Sequence, residues 1–176
     1  MTRLRGETVS YNVGILIASD RCASGQREDL CLPVFRSILA DTVFDIKETA
    51  VTSDDPEEIR TALKELIGKR LNLILTSGGT GCGNRDNTPE VTKVLLDKPT
   101  PGLDEAIRQF SRDKSKFAMY SRGVSGVAKD SFIINLPGSP KAVSEILVFL
   151  LPTIEHPLKL IVSQIVDCVT ETSSHD

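Results

Sequence analysis

Val13-Gly14-Ile15-Leu16-Ile17-Ala18 is apolar at odd and even positions alike. A strand half-exposed to water alternates, so a run without alternation belongs to a strand covered on both faces, as in the middle of a parallel sheet. Leu71 to Thr76 is a second buried run of this kind, and Phe132 to Leu136 forms a third strand late in the chain. Helical patterns separate them. Asp55 is placed to N-cap a helix with Pro56 at N1 and Glu58 at N3. Ile59, Leu63, Leu66 and Ile67 then recur at helical spacing, and Gly68 ends the segment. Further helices are expected from about Leu32 to Leu39, from Thr88 to near Asp97, and from Leu103 to about Arg112. Val43–Val51 and Val124–Val127 complete the main strands, with a short one at Phe117–Tyr120. Val143, Ile146, Leu147 and Leu150 share a face of a helix that begins at Pro140. Pro152 and Pro157 predict a break there, with an adjoining helix over Thr153–Ile165. The expected fold class is α/β, with a mostly parallel central sheet between layers of helices.

At 176 residues the chain has the length of one domain, expected to span 1–176 with a core of about 12–165. Met1–Ser10 and Thr170–Asp176 are expected to be mobile tails. The formal charge of −3 gives no basic face for nucleic acid. No signal-peptide pattern is seen and no apolar run of membrane-spanning length is expected. Cys22, Cys31, Cys82 and Cys168 form no C-x-x-C pair, and His156 and His175 are the only histidines. Neither a structural zinc site nor a Ser-His-Asp triad is expected, and reduced thiols fit a cytoplasmic protein.

Ligands of open α/β sheets bind beyond the carboxyl ends of the strands. Those ends are Ser19-Asp20, Ser53-Asp54-Asp55, Ser77-Gly78-Gly79-Thr80-Gly81 and Asn135-Leu136-Pro137-Gly138-Ser139. Each apolar run therefore delivers polar or glycine-rich residues to one rim. Successive N–H groups in a turn such as Gly78–Gly81 form an anion nest. Taken alone, the turn reads equally as a tight strand-to-helix connection that holds nothing. It is neither a Walker A loop nor a G-x-G-x-x-G fingerprint. Asp86 follows on a glycine-rich loop beside Arg85, and carboxylates beside phosphates commonly hold Mg²⁺. Asp55 and Thr88 are read as helix caps. Arg85 and Arg122 are candidate phosphate contacts or solvated surface residues. Ser139 is either an anion site or an N-cap, and Cys82 is read as filler.

Thr76-Ser77-Gly78-Gly79-Thr80-Gly81, Arg85-Asp86-Asn87-Thr88-Pro89-Glu90, Pro101-Gly102, Ser121-Arg122 and Ile133-Ile134-Asn135-Leu136-Pro137-Gly138-Ser139 together resemble the molybdopterin adenylyltransferases, which include MogA and the gephyrin G domain. Ala18-Ser19-Asp20-Arg21 with Asp29 is similar too, and the likeness spans about Asn12 to Ile161. The resemblance implies a three-layer α/β/α fold and a homotrimer. It implies Mg²⁺-dependent transfer of AMP from ATP to the molybdopterin phosphate, ahead of a molybdenum-insertion enzyme. It implies that Asp54 and Asp86 are the essential acids around the metal. Gly78, Gly79, Thr80, Gly81 and Asp20 would hold the nucleotide. Ser111, Ser121, Arg122, Asn135, Pro137, Gly138 and Ser139 would line the pterin side. Three positions depart from the pattern: Asn84 for proline, Asn87 for valine, and Ala128 followed by Lys129 where an arginine would stand. The Ala128 segment is closer to the MoaB branch, and the alternative it implies is a catalytically weak or inactive pterin-binding scaffold.

Overall fold

The computed structural model describes residues 10–172, with side chains described for 10–163. Its elements are β1 (Tyr11–Ala18), α1 (Asp20–Ala23), α2 (Cys31–Leu39), β2 (Phe44–Thr52), α3 (Pro56–Gly68) and β3 (Leu73–Ser77). They continue with α4 (Thr88–Leu95), β4 (Lys98–Pro99), α5 (Pro101–Arg112), a 3₁₀ helix (Lys116–Tyr120), β5 (Ser125–Ala128), β6 (Ser131–Leu136) and α6 (Pro140–Thr172). One sheet runs in the order β2-β1-β3-β6-β5-β4. β2, β1, β3 and β6 are parallel, β5 pairs antiparallel with β6, and β4 pairs antiparallel with β5.

The lack of alternation in β1 has the expected cause. Successive side chains point to opposite faces, and both faces are covered. Val13, Ile15 and Ile17 pack with Phe35 of α2 and with Val143, Ile146, Leu150 and Ile154 of α6. Leu16 and Ala18 pack with Ile59, Leu63 and Leu66 of α3 and Val91 of α4. The two clusters are the two interfaces of a three-layer α/β/α sandwich. Asp55 caps α3, its carboxylate accepting from the N–H groups of Glu57 and Glu58.

Several sequence expectations give way. Phe117–Tyr120 is a 3₁₀ helix, not a strand; Phe117, Met119 and Tyr120 are all exposed, so no alternation and no partner strand hold the segment extended. The stretch after Ser19 holds the one-turn helix α1, capped by the Ser19 hydroxyl. Lys98–Pro99 forms an edge strand against β5, a position that accepts proline because an edge strand can leave one N–H side unpaired. Thr88 is not a cap: it begins α4 after Asn87, which makes no side-chain cap bond. Cys82 is exposed, its thiol directed at the Tyr120 carbonyl, and it does not line the cavity described below.

α6 passes through Pro152 and Pro157 without a break. Proline removes one N–H donor from the helix ladder. The bond lost to Pro152 is the one to the carbonyl of Val148, an exposed residue on the outer side of the helix. Ile154, Leu158 and Ile161 on the inner face stay packed on the core and carry the helix onward. Its continuity overturns one expectation, because Pro140–Ser163 has the length and mean hydropathy (1.6) of a membrane span. Here its buried stripe is a face of the sandwich core. The tail expectation for residues 1–9 and 173–176 lies outside the described residues, and residues 170–172 belong to α6.

Candidate functional site

Three strand ends meet at the C-terminal rim. Gly78 follows β3 with φ of +104°, and a Cβ there would lie 2.2 Å from the carbonyl oxygen of Ala18, the last residue of β1. Gly138, just past β6, approaches the Cα of Gly78 on the other side. Gly78 N–H donates to the Leu136 carbonyl at 3.1 Å. Only glycine combines that backbone conformation with that closeness. The tight-connection reading of the turn is thus correct as far as Gly78 goes.

The rest of the turn is differently placed. Among the described residues, the N–H groups of Gly79, Thr80 and Gly81 have no protein acceptor, whereas the carbonyls of Gly79 and Thr80 accept from Thr88 and Arg122. Gly79, Thr80 and Gly81 line a cavity of about 540 Å³ at the rim. The turn therefore has its carbonyls tied back and its donors available, the arrangement an anion requires.

Two carboxylates reach the same cavity, Asp54 from the end of β2 and Asp86 from farther along the loop that the turn begins after β3. Oδ2 of Asp86 accepts from Gly83 N–H at 2.7 Å. A Cβ at Gly81 or Gly83 would come within 2.9 Å or 2.8 Å of that oxygen, so the two glycines leave the space in which the carboxylate sits. Burial pushes the Asp54 carboxyl above its ordinary range, opposed by the N–H of Asp20. Asp20 itself does not line the cavity; Arg85 grips its carboxylate and holds it below the usual range.

The remaining sequence candidates divide. Ser111, Ser121, Asn135, Pro137, Gly138 and Ser139 all line the cavity. The Ser111 hydroxyl is buried and has no hydrogen-bond partner among the described residues. Asn135 is buried, and its amide is fully engaged: Nδ2 donates to the Thr76 and Thr92 hydroxyls at 3.0 Å each, and Oδ1 accepts from Val124 N–H at 3.3 Å. Ser139 also lies at the start of α6, where its hydroxyl accepts weakly from Ala142 N–H at 3.5 Å. Arg122 is the exception. It does not line the cavity, and its guanidinium donates to the carbonyls of Gly81 (2.6 Å) and Asp86 (2.5 Å) and to the Glu90 carboxylate. It braces the glycine loop from behind.

Sequence reasoning placed Ser111 at the site but missed the rest of its wall. Asp104, Arg108, Ser111 and Ser115 line the cavity from α5 and the loop beyond it. The i, i+4, i+7 spacing of the first three puts them on one helix face, a polar periodicity that was there to be read. Asp104 is buried; the Ser125 hydroxyl donates to it at 2.6 Å, yet burial still pushes its carboxyl up. Arg21, Arg27 and Lys114 add positive charge to the lining.

Among the described residues, no group of three or more His, Cys, Asp or Glu side chains is gathered to hold a metal ion. Asp54 and Asp86 offer two hard carboxylate donors beside unpaired N–H groups. That set suits Mg²⁺, which keeps its waters and binds through one or two carboxylates together with substrate phosphates.

The departures from the family pattern lie elsewhere. β5 pairs antiparallel with β6, Ser125 with Ile134 and Ala128 with Ser131. β6 ends at the cavity rim, so Ala128 lies toward the opposite edge of the sheet, buried in the cluster beneath α3 and α4. Neither Ala128 nor Asn84 lines the cavity.

Comparison with known proteins bears on this site. A family model described as "Probable molybdopterin binding domain" matches residues 14–156. The molybdopterin adenylyltransferase of Haemophilus influenzae is 37% identical over 143 residues, covering 80% of this chain and 73% of that protein. The molybdenum cofactor biosynthesis bifunctional protein of Synechococcus elongatus is 37% identical over 84% of this chain, which spans only 46% of that longer protein. The solved structure of MoaB from Thermus thermophilus superposes with a TM-score of 0.81 at 41% identity, covering 86% of this chain and 96% of that one. The match over residues 14–156 takes in every wall of the cavity, and the chain belongs to the MoCF_biosynth family.

Proposed function

We propose that this chain is a molybdopterin adenylyltransferase of molybdenum cofactor biosynthesis. An oxygen of the molybdopterin terminal phosphate attacks the α-phosphorus of ATP. The bond from that phosphorus to the β,γ-diphosphate breaks, giving adenylyl-molybdopterin and pyrophosphate. One observation carries the reading: unpaired N–H groups of Gly79, Thr80 and Gly81 share a cavity with the carboxylates of Asp86, on the same loop, and Asp54, from the end of β2.

In this mechanism the turn binds nucleotide phosphate, and Asp54 and Asp86 are the residues that would hold Mg²⁺. Bound there, Mg²⁺ would neutralise charge on the transferring and leaving groups. The attacking group is already an anion, so no strong general base is needed. Alignment of the two substrates and charge stabilisation supply the rate. The wall formed by Ser111, Ser121, Asn135, Pro137, Gly138 and Ser139 suits the pterin, with Arg108 and Lys114 available to its phosphate. Asp20 and Arg122 support the site from outside the cavity, a different role from the ligand contacts expected of them.

The scaffold alternative rests on the missing arginine at Ala128. That position lies toward the far edge of the sheet and outside the cavity, which favours the catalytic reading. Val148, Phe149 and Leu160 are exposed on α6, and Phe149 stacks on Phe110 at 4.4 Å between centroids, an apolar surface that suits a homotrimer. The setting is cytoplasmic, with the product passed to a molybdenum-insertion enzyme. Pyrophosphate release from ATP that requires both Mg²⁺ and molybdopterin tests the reading; release independent of molybdopterin would defeat it.

A further inference from the structure

Asp54 is not oriented by its own segment alone. Its Oδ2 accepts from the main-chain N–H of Asp20 at 2.9 Å, and its own N–H donates to Oδ1 of Asp20 at 2.9 Å. The partners lie 34 residues apart, at the ends of β1 and β2. Arg85, on the loop after β3, holds the other side of Asp20: Nε donates to Oδ2 at 3.0 Å and Nη2 to Oδ1 at 2.8 Å. The Asp20 carboxylate thus accepts three bonds, all from protein and none from the cavity side. Asn87, two residues after Arg85, donates from Nδ2 to the Asp54 carbonyl at 3.3 Å. Among the described residues, Oδ1 of Asp54 has no donor.

We infer that Asp20 and Arg85 are positioning residues for the reaction: the guanidinium fork fixes the Asp20 carboxylate, and Asp20 fixes Asp54 so that its unpaired oxygen serves the cavity. The inference rests on the reading of Asp54 as a metal-side acid. The alternative is an ordinary surface ion pair. Arg85 and Asp20 are 57% and 45% exposed at the side chain, and such pairs contribute little to stability. Their removal should therefore leave the fold intact and expose any effect on the site. The fork matters as well as the charge, because lysine cannot make two parallel bonds.

The test compares Arg85→Gln, Arg85→Lys, Asp20→Asn and the Asp20→Asn/Arg85→Gln double variant with wild type. Arg70→Gln, which removes the exposed Arg70–Asp130 pair, is the control. AMP transfer is followed for kcat and for the KM of ATP. Mn²⁺ binding is titrated separately in the presence of a non-hydrolysable ATP analogue. Residues that orient metal ligands typically change affinity or activity by about 10- to 100-fold. Arg85→Gln and Asp20→Asn should each lower kcat by about 10-fold or more and weaken Mn²⁺ binding several-fold. The KM of ATP should stay within about threefold, since the turn amides are untouched. The double variant should be no worse than either single one, because all act through one contact chain. Arg85→Lys should remain well below wild type. Wild-type kcat and Mn²⁺ binding in Arg85→Gln would overturn the inference, as would losses that multiply in the double variant or full rescue by lysine. If the wild-type protein transfers no AMP, the proposed function fails, and the Mn²⁺ titration alone decides this inference. Unchanged Mn²⁺ affinity in Asp20→Asn, or no Mn²⁺ binding to wild type, would then contradict it.

Discussion

The Thr88 hydroxyl stands 2.4 Å from where a Cβ on Gly79 would lie. That hydroxyl is buried and makes no hydrogen bond among the described residues, so it acts as a steric wall behind the turn. Gly79 also has φ of +62°, a conformation costly for other residues. Gly79→Ala is expected to lose about 1–3 kcal/mol of stability from backbone strain alone. Thr88→Ala in the same chain should recover only the steric part. Urea unfolding of the two single variants and the double variant measures the split.

Asp86→Asn can keep the bond from Gly83 N–H, because the amide carbonyl replaces the accepting oxygen. It removes the negative charge. The expected result is a fall in AMP transfer of about 100-fold or more, with an unchanged thermal midpoint. Steady-state kinetics and a thermal melt on the same preparation check both halves.

Asp104 gives a pH signature. Burial raises its carboxyl above the ordinary 3.8 despite the bond from Ser125. A carboxyl whose folded value is raised binds more protons folded than unfolded. Its stabilising contribution is therefore present below the unfolded value and is lost as pH rises through the folded one. Asp104→Asn removes that loss, so its stability relative to wild type should rise with pH across that window. Unfolding free energies measured from pH 3 to 8 (a range set by the ordinary carboxyl value) follow it.

Asn135 ties β6 to Thr76 of β3, Thr92 of α4 and the Val124 main chain. Asn135→Ala would leave buried groups unpaired, at a cost of about 1–3 kcal/mol. Asn135→Asp should be worse than Ala at neutral pH, since an unpaired charge is then buried. Chemical denaturation of both variants gives the order.

Much of this was legible because local and global signals agreed. The two-faced apolar pattern of Val13–Ala18 located the sheet centre, and the Asp55-Pro56-Glu58 cap located α3. The cavity followed from the rule that ligands sit beyond parallel strand ends. The misses have physical causes. Phe117–Tyr120 has strand-forming composition but no partner strand, and Lys98–Pro99 is a strand only because β5 lies beside it. Pro152 and Pro157 are tolerated because α6 is held by its packed face. At the site, residue type suggested that Asp20 and Arg122 touch ligand. Their bonds show instead that both brace neighbouring loops, a distinction that depends on contacts between distant segments.

The most direct measurement is transfer of label from α-phosphate-labelled ATP to molybdopterin by purified protein with Mg²⁺. The proposed function predicts labelled adenylyl-molybdopterin and an equal amount of unlabelled pyrophosphate, both lost in Asp54→Asn and Asp86→Asn. Molybdopterin bound tightly by the wild-type protein, with no label transferred, would contradict it.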